Sequence, residues 1–384
     1  MDKIKLCCLT TISQTMNWFL CESMRNLAKN GYEITLVSNM DEKFMKENSD
    51  FAKCINVPMC RGVNPINMLK SIRALKKLFK EHKFDAIYYT TPNASFYSAV
   101  AGKSAKIKHR VYNQCGIRYV TITGIKKKIF KFLEKLTCKF STTVRSQSPK
   151  NMQFAIDEKL VKKEKISVIG IGGTIGVDLK ECDAFNKVEV RNNLRSKYGI
   201  PKDAFVYGYV GRINTDKGIN ELVLAFDNLS RKINNVYLVL IGYEDKENPI
   251  TEENMEIAKS NNRVVFTGAV PITEVYKHMS ILDVLTHPTY REGFGKVLQE
   301  AMGMNLAIIT TNVPGPSEVV EENVSGLLVS PKNAGELENA MKLLFEDNKL
   351  KESLALNGRK RAETYFDRPI MLANILEDMN KIVR

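Results

Sequence analysis

Two cations in the second half of the sequence have the types and the placement of a phosphate-binding pair. Arg212 and Lys217 lie in the segment VYGYVGRINTDKGINELVLAF (206–226), between a strand pattern that ends at Val210 and a helical pattern that begins near Gly218. Arginine and lysine side chains fixed beside a helix N-terminus form a binding site for anions and suit phosphate well. Two solvated surface charges would produce the same pattern, so this segment alone leaves both interpretations open.

A pair of glutamates flanks the start of a helix in a second segment, VLTHPTYREGFGKVLQEAMG (284–303). Glu292 precedes the helical pattern, and Glu300 follows eight residues later, inside it. Gly293 and Gly295 between them allow the backbone to approach a ligand closely, and the free amides of a helix start can hold a diphosphate. Carboxylates accept hydrogen bonds from sugar hydroxyls. This loop therefore predicts a site at which a diphosphate binds the helix start and a sugar binds the glutamates.

Alternating strand and helix patterns are the elements that must position these residues. Helical patterns such as 17–30 and 65–82 separate short β-branched runs, which predicts parallel sheets with helices on both faces. The strand-like runs are 4–9, 33–38, 86–89, 110–112 and 166–169 in the first half, and 205–210, 236–241, 264–266, 284–286 and 307–310 in the second.

The strand and helix pattern restarts after residue 180, which predicts two domains in these 384 residues. We place the first at 1–182 and the second at 183–366, followed by a last helical segment at 367–384. Open α/β sheets bind ligands at the carboxyl ends of their strands, so two such sheets suit two substrates. The glycine cluster GIGGTIGVDL (170–179) has Ile175 at the third glycine position of a dinucleotide fingerprint, and we interpret it as the turn between the domains.

The charge of the chain is concentrated in its first half. Residues 1–180 hold 32 Lys+Arg against 14 Asp+Glu, whereas residues 181–384 hold 25 against 29. The basic half predicts an anionic partner such as a lipid surface, a nucleic acid or a diphosphate, unless it is only a basic surface.

Eight cysteines without a CxxC pair and four histidines without zinc-like spacing indicate reduced thiols in the cytoplasm and no metal site. No apolar run reaches the length of a signal-peptide core or a membrane span.

The sequence resembles the GT-B glycosyltransferases of family 4, also called group 1, over nearly its whole length. The strongest motifs are GRINTDKG (211–218) and the glutamate pair within REGFGKVLQE (291–300), followed by the closing segment AIITTNVPGPSEVVEENVSGLLV (307–329). Within the family, HPTYREGFG (287–295) is most similar to bacterial transferases of capsule, exopolysaccharide and N-glycan assembly. The resemblance implies an α/β fold of two Rossmann-like parallel-sheet domains that face each other across a cleft, with a last helix that crosses back to the N-terminal domain.

The resemblance also implies the reaction, which is a retaining transfer from a nucleotide sugar without a metal or another cofactor. UDP is the expected nucleotide, and a polyprenyl-diphosphate-linked saccharide is the expected acceptor. Arg212 and Lys217 would grip the donor diphosphate, Glu292 would bind hydroxyls of the transferred sugar, and Glu300 would bind the ribose. Further donor contacts, largely through the backbone, are implied for Gly211, Gly268, Val270, Gly293, Phe294 and Gly295.

The N-terminal half departs from the family at two places. Many members carry a histidine before the glycine where this chain has Cys115-Gly116, and many carry a glycine-rich loop where it has TTISQTMNW (10–18). We expect this loop to shape the acceptor site through Ser13 and Asn17. The remaining candidates for the acceptor or sugar site are Asn113, Cys115 and Arg118.

Lysines recur every four residues in KKKIFKFLEKLTCKF (126–140), where Lys127, Lys131 and Lys135 form a basic stripe on a helical pattern. Each cation near anionic lipid contributes about 1 kcal/mol to binding. We therefore predict peripheral association with the inner face of the cell membrane. In the alternative interpretation, the apolar face of this helix packs on the sheet and the lysines are simply solvated.

Two other functions remain open for the sequence. A nucleotide-sugar epimerase on the same fold would share the donor site, but it needs acid–base residues that the motifs do not place. A non-enzymatic nucleic-acid-binding protein would explain the basic half, but no recognition helix or array of stacking aromatic residues is recognisable. The motifs favour a transferase with a lipid-linked acceptor and no nucleic acid partner.

Overall fold

The computed structural model describes residues 3–60, 62 and 64–384, and the chain forms two units. The first unit contains the residues up to Ile175 together with Pro369–Arg384, and the second contains Gly176–Arg368. The second unit thus begins before the predicted residue 183. Val177 is one reason, because its amide donates to the carbonyl of Phe366 at 2.9 Å, at the far end of the same unit.

A seven-stranded parallel sheet forms the centre of the first unit. Its strands are β1 (Ile4–Ile12), β2 (Tyr32–Asn39), β3 (Ala52–Asn56), β4 (Ala86–Tyr89), β5 (His109–Gln114), β6 (Thr143–Ser146) and β7 (Ile166–Val168). The order across the sheet is β3-β2-β1-β4-β5-β6-β7, so β1 pairs with β2 on one side and β4 on the other. Its run of buried residues is typical of a central strand covered by helices on both faces.

Helices connect these parallel strands and bury their apolar faces on the sheet. They are α1 (Ser13–Phe19), α2 (Cys21–Lys29), α3 (Glu42–Glu47), α4 (Pro65–His82), α5 (Pro92–Ser104), α6 (Gly124–Phe140) and α7 (Pro149–Asp157). Short 3₁₀ turns at Arg118–Thr121 and Lys163–Lys165 complete the connections. The side chain of Asn64 caps α4 by accepting from the amides of Ile66 and Asn67, and Pro65 occupies its first position, as expected of a helix start.

The second unit is built on a six-stranded parallel sheet in the order β10-β9-β8-β11-β12-β13. Its strands are β8 (Phe205–Val210), β9 (Val236–Ile241), β10 (Val264–Gly268), β11 (Val284–His287), β12 (Ala307–Thr311) and β13 (Leu327–Val329). Its helices are α8 (Leu179–Asp183), α9 (Lys187–Lys197), α10 (Ile219–Lys232), α11 (Glu252–Ser260), α12 (Val275–Met279), α13 (Lys296–Gly303), α14 (Pro316–Val319), α15 (Ala334–Glu346) and α16 (Asn348–Arg361). The neighbouring strands β8 and β11 both end at the carboxyl edge, where Rossmann-like sheets bind ligands.

The last helix, α17 (Arg368–Val383), follows a π-helical turn at Ala362–Phe366 and belongs almost entirely to the first unit. Its side chains Met371, Ile375 and Met379 are buried. Asp378 of this helix pairs with Arg145 at 2.8 Å, and Asn380 accepts a hydrogen bond from the hydroxyl of Tyr32 at 2.9 Å. The chain therefore returns to its N-terminal sheet after completing the second.

The predicted α/β fold class is confirmed, but three strands escaped the sequence analysis. These are β3, β6 and β13, which have only three to five residues and lie toward the edges of their sheets. The predicted loop 10–18 is wrong, because β1 continues to Ile12 and α1 begins at Ser13. The predicted helix 17–30 is divided at Leu20 into α1 and α2. Within the described residues, no helix has both the length and the apolar character needed to cross a bilayer.

Candidate active site

The loop that follows β8 carries Arg212 at the carboxyl edge of the second sheet. Its Nη1 lies 2.7 Å from Oδ2 of Asp245, and Nδ2 of Asn214 donates to the same oxygen at 3.0 Å. Burial raises the pKa of Asp245, but the bonds from Asn214, the backbone of Glu247 and Arg212 lower it below its ordinary value. The carboxylate is therefore charged at neutral pH and orients a guanidinium that is itself half exposed.

Lys217 ends a 3₁₀ turn (Thr215–Lys217), and Gly218 is the N-cap residue of α10. Gly218 has a φ of +71°, and a Cβ atom at this position would lie 1.9 Å from the carbonyl oxygen of Pro288, so only glycine fits. This close approach packs the loop after β8 against the loop after β11. The amide of Tyr290 also donates to the carbonyl of Asp216 at 2.9 Å, which fastens the two loops together.

An ion pair between Lys217 and Glu292 joins the same two loops, and both side chains are mostly buried. Burial alone raises the pKa of Glu292, but the charge and hydrogen bond of Lys217, together with the neighbouring His287, outweigh this effect, so that the pKa lies far below its ordinary value. Glu292 is therefore ionised at neutral pH. The structure thus brings together a cation and a carboxylate that the sequence analysis had assigned to the phosphate and the sugar separately.

His287, the last residue of β11, lies next to this ion pair. Its ring stacks on Tyr209 with the centroids 5.6 Å apart, and its Nε2 lies 3.6 Å from Oε2 of Glu292, which is too long for a hydrogen bond. Burial lowers the pKa of His287, and the nearby Lys217 lowers it further, against the opposing effect of Glu292. The imidazole is therefore neutral at pH 7, and Lys217 is the cation that balances Glu292.

The Glu-Gly-Phe-Gly loop leads into α13 in the predicted way. Gly295 has a φ of +100° and precedes the helix, while the buried ring of Phe294 packs edge-on against Phe366 with the centroids 5.8 Å apart. The Phe294 side chain therefore points into the protein and anchors the loop. A ligand at this loop would meet the backbone around Gly293 and Gly295, as the sequence analysis expects.

Glu300 lies inside α13, and Nζ of Lys296 is 2.9 Å from its Oε1. Its charge also contributes, after burial, to a raised pKa of Tyr276 in α12, so the Glu300 carboxylate lies near the segment that follows β10. β10 ends at Gly268, whose φ is +70° and whose carbonyl accepts from the amide of Gly242 at 3.1 Å, and the segment that follows contains the half-buried Val270. Apart from Gly268 at the end of β10 and Glu300 inside α13, the predicted donor residues of the second unit thus lie on the loops that follow β8, β10 and β11.

The candidate residues of the first unit occupy separate surroundings. Asn113, in β5, lines a small cavity with Tyr88 and Arg145. Arg118 lines a different one between α4, α5 and α6, where its guanidinium lies 4.6 Å from the ring centroid of Phe130. The structure therefore does not bring Asn113 and Arg118 into one pocket of the first unit.

Cys115 stands at the carboxyl end of β5, in the position where the resemblance implied a histidine. Its Sγ lies 2.9 Å from Oγ1 of Thr90, and Nε2 of Gln147 donates to it at 2.6 Å. Ser13 is the half-buried first residue of α1, whereas Asn17 is exposed on the same helix. These side chains follow strands that end at the carboxyl edge of the first sheet.

Comparison with known families agrees with this geometry. Residues 190–361 match the family described as "Glycosyl transferases group 1", and residues 5–148 match "Glycosyl transferase 4-like". The capsular polysaccharide biosynthesis glycosyltransferase CapM of Staphylococcus aureus is 31% identical over 375 residues, which cover 97% of this chain and 95% of CapM. The chain belongs to the group 1 glycosyltransferases.

Two further comparisons place this glycosyltransferase among its relatives. The N,N'-diacetylbacillosaminyl-diphospho-undecaprenol alpha-1,3-N-acetylgalactosaminyltransferase of Campylobacter jejuni is 27% identical, and the match covers 92% of each chain. The crystal structure of Anabaena Alr3699/HepE in complex with UDP-glucose superposes with a TM-score of 0.81 over 98% of this chain and 100% of the other, at 20% identity. The structural likeness supports the GT-B fold that the sequence predicts.

Helix α6 of the glycosyltransferase differs from its predicted arrangement. Lys127 and Lys135 are exposed, but Nζ of Lys131 lies 2.5 Å from Oε2 of Glu158, so Lys131 is engaged within the protein. The apolar side chains do not all pack on the sheet either, because Ile129 and Phe132 face solvent. The helix therefore has a second apolar stripe on its outer surface.

The sequence analysis missed two residues that pair with the candidate donor residues. Asp245 follows β9 in a charged stretch, EDKENP (244–249), which carries no motif. Lys296 lies within the recognised motif, but a lysine on a helical pattern usually indicates a solvated side chain. Asp245 pairs with Arg212, and Lys296 pairs with Glu300. The second pair could have been indicated by the sequence, because Lys296 and Glu300 are one helical turn apart.

Proposed function

We propose that this glycosyltransferase moves a hexose or N-acetylhexosamine from a UDP-sugar to a polyprenyl-diphosphate-linked saccharide, with retention of anomeric configuration and without a metal. The product would be a precursor of a cell-surface polysaccharide such as a capsule. The observation that carries the proposal is the ion pair of Lys217 and Glu292 at the start of the Glu-Gly-Phe-Gly loop. This pair supports the proposal, because a lysine is suited to bind phosphate and a carboxylate is suited to accept hydrogen bonds from sugar hydroxyls.

In the proposed reaction, the bond between the anomeric carbon and the β-phosphate oxygen breaks while the acceptor hydroxyl attacks from the same face of the sugar. The hydroxyl proton passes to the departing phosphate oxygen, and UDP leaves. Negative charge develops on the diphosphate, where Arg212 and Lys217 stabilise it, and positive charge develops on the sugar, which the ionised Glu292 faces. Prearranged charges of this kind are a large part of catalysis in many enzymes.

The names of relatives support the choice of substrates. CapM is named for capsular polysaccharide biosynthesis. The Campylobacter jejuni relative and the Escherichia coli "UDP-Gal:alpha-D-GlcNAc-diphosphoundecaprenol alpha-1,3-galactosyltransferase", which is 23% identical, are both named for sugars carried on undecaprenyl diphosphate. The Anabaena neighbour was crystallised with UDP-glucose. A UDP-sugar and a lipid-linked acceptor are therefore the first substrates to test.

Calorimetric titration with UDP tests the donor assignment. We expect wild type to bind UDP and the Arg212→Ala and Glu300→Ala variants to bind it more weakly. Lys232→Met is a matched control, because Lys232 also pairs with a carboxylate, Glu338 at 2.6 Å, but on the surface between α10 and α15. Absence of UDP binding by folded wild type would contradict the proposed nucleotide.

Transfer itself is tested by incubating the enzyme with a set of UDP-sugars and a short polyprenyl-diphosphate saccharide, with and without a chelator. The anomeric proton coupling of the product reports retention or inversion. Activity that needs a divalent cation, or a product of inverted configuration, would refute those parts of the proposal. Formation of an epimer of the UDP-sugar without any acceptor would instead favour epimerisation.

We further propose that helices α4 and α6 hold the enzyme on an anionic membrane. In the described part of the first unit, six of the seven exposed large apolar side chains lie on these two helices and the 3₁₀ turn before α6. They are Ile66, Leu69, Val120, Ile125, Ile129 and Phe132. Exposed lysines surround them, including Lys127 and Lys135, so apolar insertion and charge attraction act at the same surface.

Sedimentation with vesicles of anionic lipid, compared with vesicles of neutral lipid, tests this surface. The double variants Lys127→Glu/Lys135→Glu and Ile129→Ser/Phe132→Ser should each lose binding to anionic vesicles, and salt should weaken wild type. A matched control changes Lys342 and Lys349, two exposed lysines of the second unit, to Glu. Equal binding by all variants would show that another part of the protein carries the attachment.

A further inference from the structure

Lys296 is the first residue of α13, and it lies between two predicted donor-site residues, Gly295 and Glu300. Its Nζ is 2.9 Å from Oε1 of Glu300, and the two side chains are only 17% and 11% exposed. No described residue forms a hydrogen bond or ion pair with Oε2 of Glu300. The carboxylate is thus held at Oε1, and its other oxygen can still accept a hydrogen bond.

The stability of α13 does not explain a lysine at this position. The N-terminal end of a helix carries a partial positive charge, so a cation in the first turn is unfavourable and acidic residues are preferred there. A pair in which the lysine precedes the glutamate by four residues is also the weaker of the two orientations. Moreover, the ammonium group is largely withdrawn from water, which costs free energy unless a partner compensates.

A matching pair on the surface shows the difference. Lys342 and Glu346 of α15 have the same four-residue spacing and the same order, but their nearest atoms are 3.7 Å apart, and both side chains are more than half exposed. That pair lies on a solvated helix face, as such pairs usually do. Of these two pairs with the same spacing and order, the pair in α13 is the one that is buried and that follows the loop assigned to the donor.

We propose that Lys296 is a positioning residue for the ribose of the donor. By binding Oε1 of Glu300, it fixes the carboxylate so that Oε2 accepts hydrogen bonds from the ribose hydroxyls. Lys296 does not itself touch the nucleotide. This inference rests on the proposed function, in which Glu300 binds the ribose. It adds that Lys296 and Glu300 together let the enzyme distinguish ribonucleotides from nucleotides that lack the ribose hydroxyls.

Calorimetric titration with UDP and with 2′,3′-dideoxy-UDP tests the inference. Hydrogen bonds to charged groups are worth enough that wild type should bind UDP roughly tenfold more tightly than the dideoxy analogue. In Lys296→Met this preference should fall to about twofold or less, with the affinity for the dideoxy analogue nearly unchanged. Lys296→Arg should retain most of the preference, and Lys342→Met should retain all of it.

The binding of the two nucleotides shows which part of the reasoning fails. If Lys296→Met weakens the binding of both nucleotides equally, the lysine acts on the diphosphate and the inference is wrong. If the preference is unchanged, Lys296 does not position Glu300. If folded wild type binds neither nucleotide, the proposed donor is at fault. Because a purely structural loss would also lower stability and kcat, we expect the KM for the UDP-sugar to rise in Lys296→Met while kcat and the thermal unfolding temperature change little.

Discussion

Replacement of Lys217 by Met removes the cation that balances Glu292 and keeps most of the volume of the side chain. Breaking a fully buried ion pair by removing one partner costs about 3–5 kcal/mol, since the other charge is left buried. The side chains of Lys217 and Glu292 are 18% and 25% exposed, so water compensates part of the loss. We therefore expect Lys217→Met to lower the free energy of unfolding by about 2 kcal/mol at pH 7.

The pH dependence of this loss identifies its cause. In wild type, the pKa of Glu292 in the folded protein is depressed below its ordinary value, so its contribution to stability is present above that value and is lost as the pH falls. Without Lys217, the effect of burial is opposed only by His287, so the pKa of Glu292 rises, the carboxyl takes up a proton more readily and the cost of its buried charge is relieved at low pH. The difference in stability between wild type and Lys217→Met should therefore shrink between pH 7 and about pH 4.

Urea unfolding at several pH values measures this difference, with Glu292→Gln and the double variant completing the cycle. We expect the double variant to be less destabilised than the two single variants summed, by about 1–2 kcal/mol. Lys342→Met, which breaks a pair with Glu346 in which both side chains are more than half exposed, should cost less than about 1 kcal/mol at every pH. A pH-independent loss in Lys217→Met, or strict additivity in the cycle, would refute the ion-pair reasoning.

Two other predictions concern the same loops. Gly218→Ala places a Cβ atom 1.9 Å from the carbonyl oxygen of Pro288, so it should destabilise the second unit by more than about 2 kcal/mol and weaken UDP binding. The control Gly335→Ala, in an open position of α15, should leave the stability and the UDP affinity unchanged. The folded-state pKa of Asp245 is depressed, so its contribution to stability is lost as the pH falls. Below about pH 4, the thermal stability of Asp245→Asn should therefore decrease less steeply with pH than that of wild type. An unchanged pH profile would show that the bond of Asp245 to Arg212 contributes nothing to stability.

The fold could be predicted from the sequence largely because its longer strands are buried and apolar. The runs 86–89, 205–210 and 236–241 coincide with β4, β8 and β9, since continuous apolar segments between helical patterns are typical of parallel strands. The short strand β6, TVRS, carries a polar pattern and is defined by its pairing with β5 and β7, which no local signal reveals. The same holds for the edge strand β3.

The site could be predicted in part, for a related reason. Loop residues such as Arg212, Lys217 and Glu292 belong to motifs whose spacing along the chain is informative. The carboxylate that orients Arg212 comes from a different loop, so its role depends on how β9 lies beside β8. The outward apolar stripe of α6 was also missed, because the spacing of Ile129 and Phe132 fits an inward or an outward face equally well.

Each of the three cations that we assign to the donor site pairs with a carboxylate of its own. The pairs are Arg212 with Asp245, Lys217 with Glu292, and Lys296 with Glu300. These six residues are therefore close to neutral together, and they exert little long-range attraction on an approaching diphosphate. Between about 50 and 500 mM salt we expect the affinity of wild type for UDP to fall only about threefold or less, since salt screens net charge much more than it weakens close contacts. Glu292→Gln leaves one cation unbalanced, so its affinity should depend more steeply on salt. An equally steep dependence in wild type would mean that these pairs do not persist in solution.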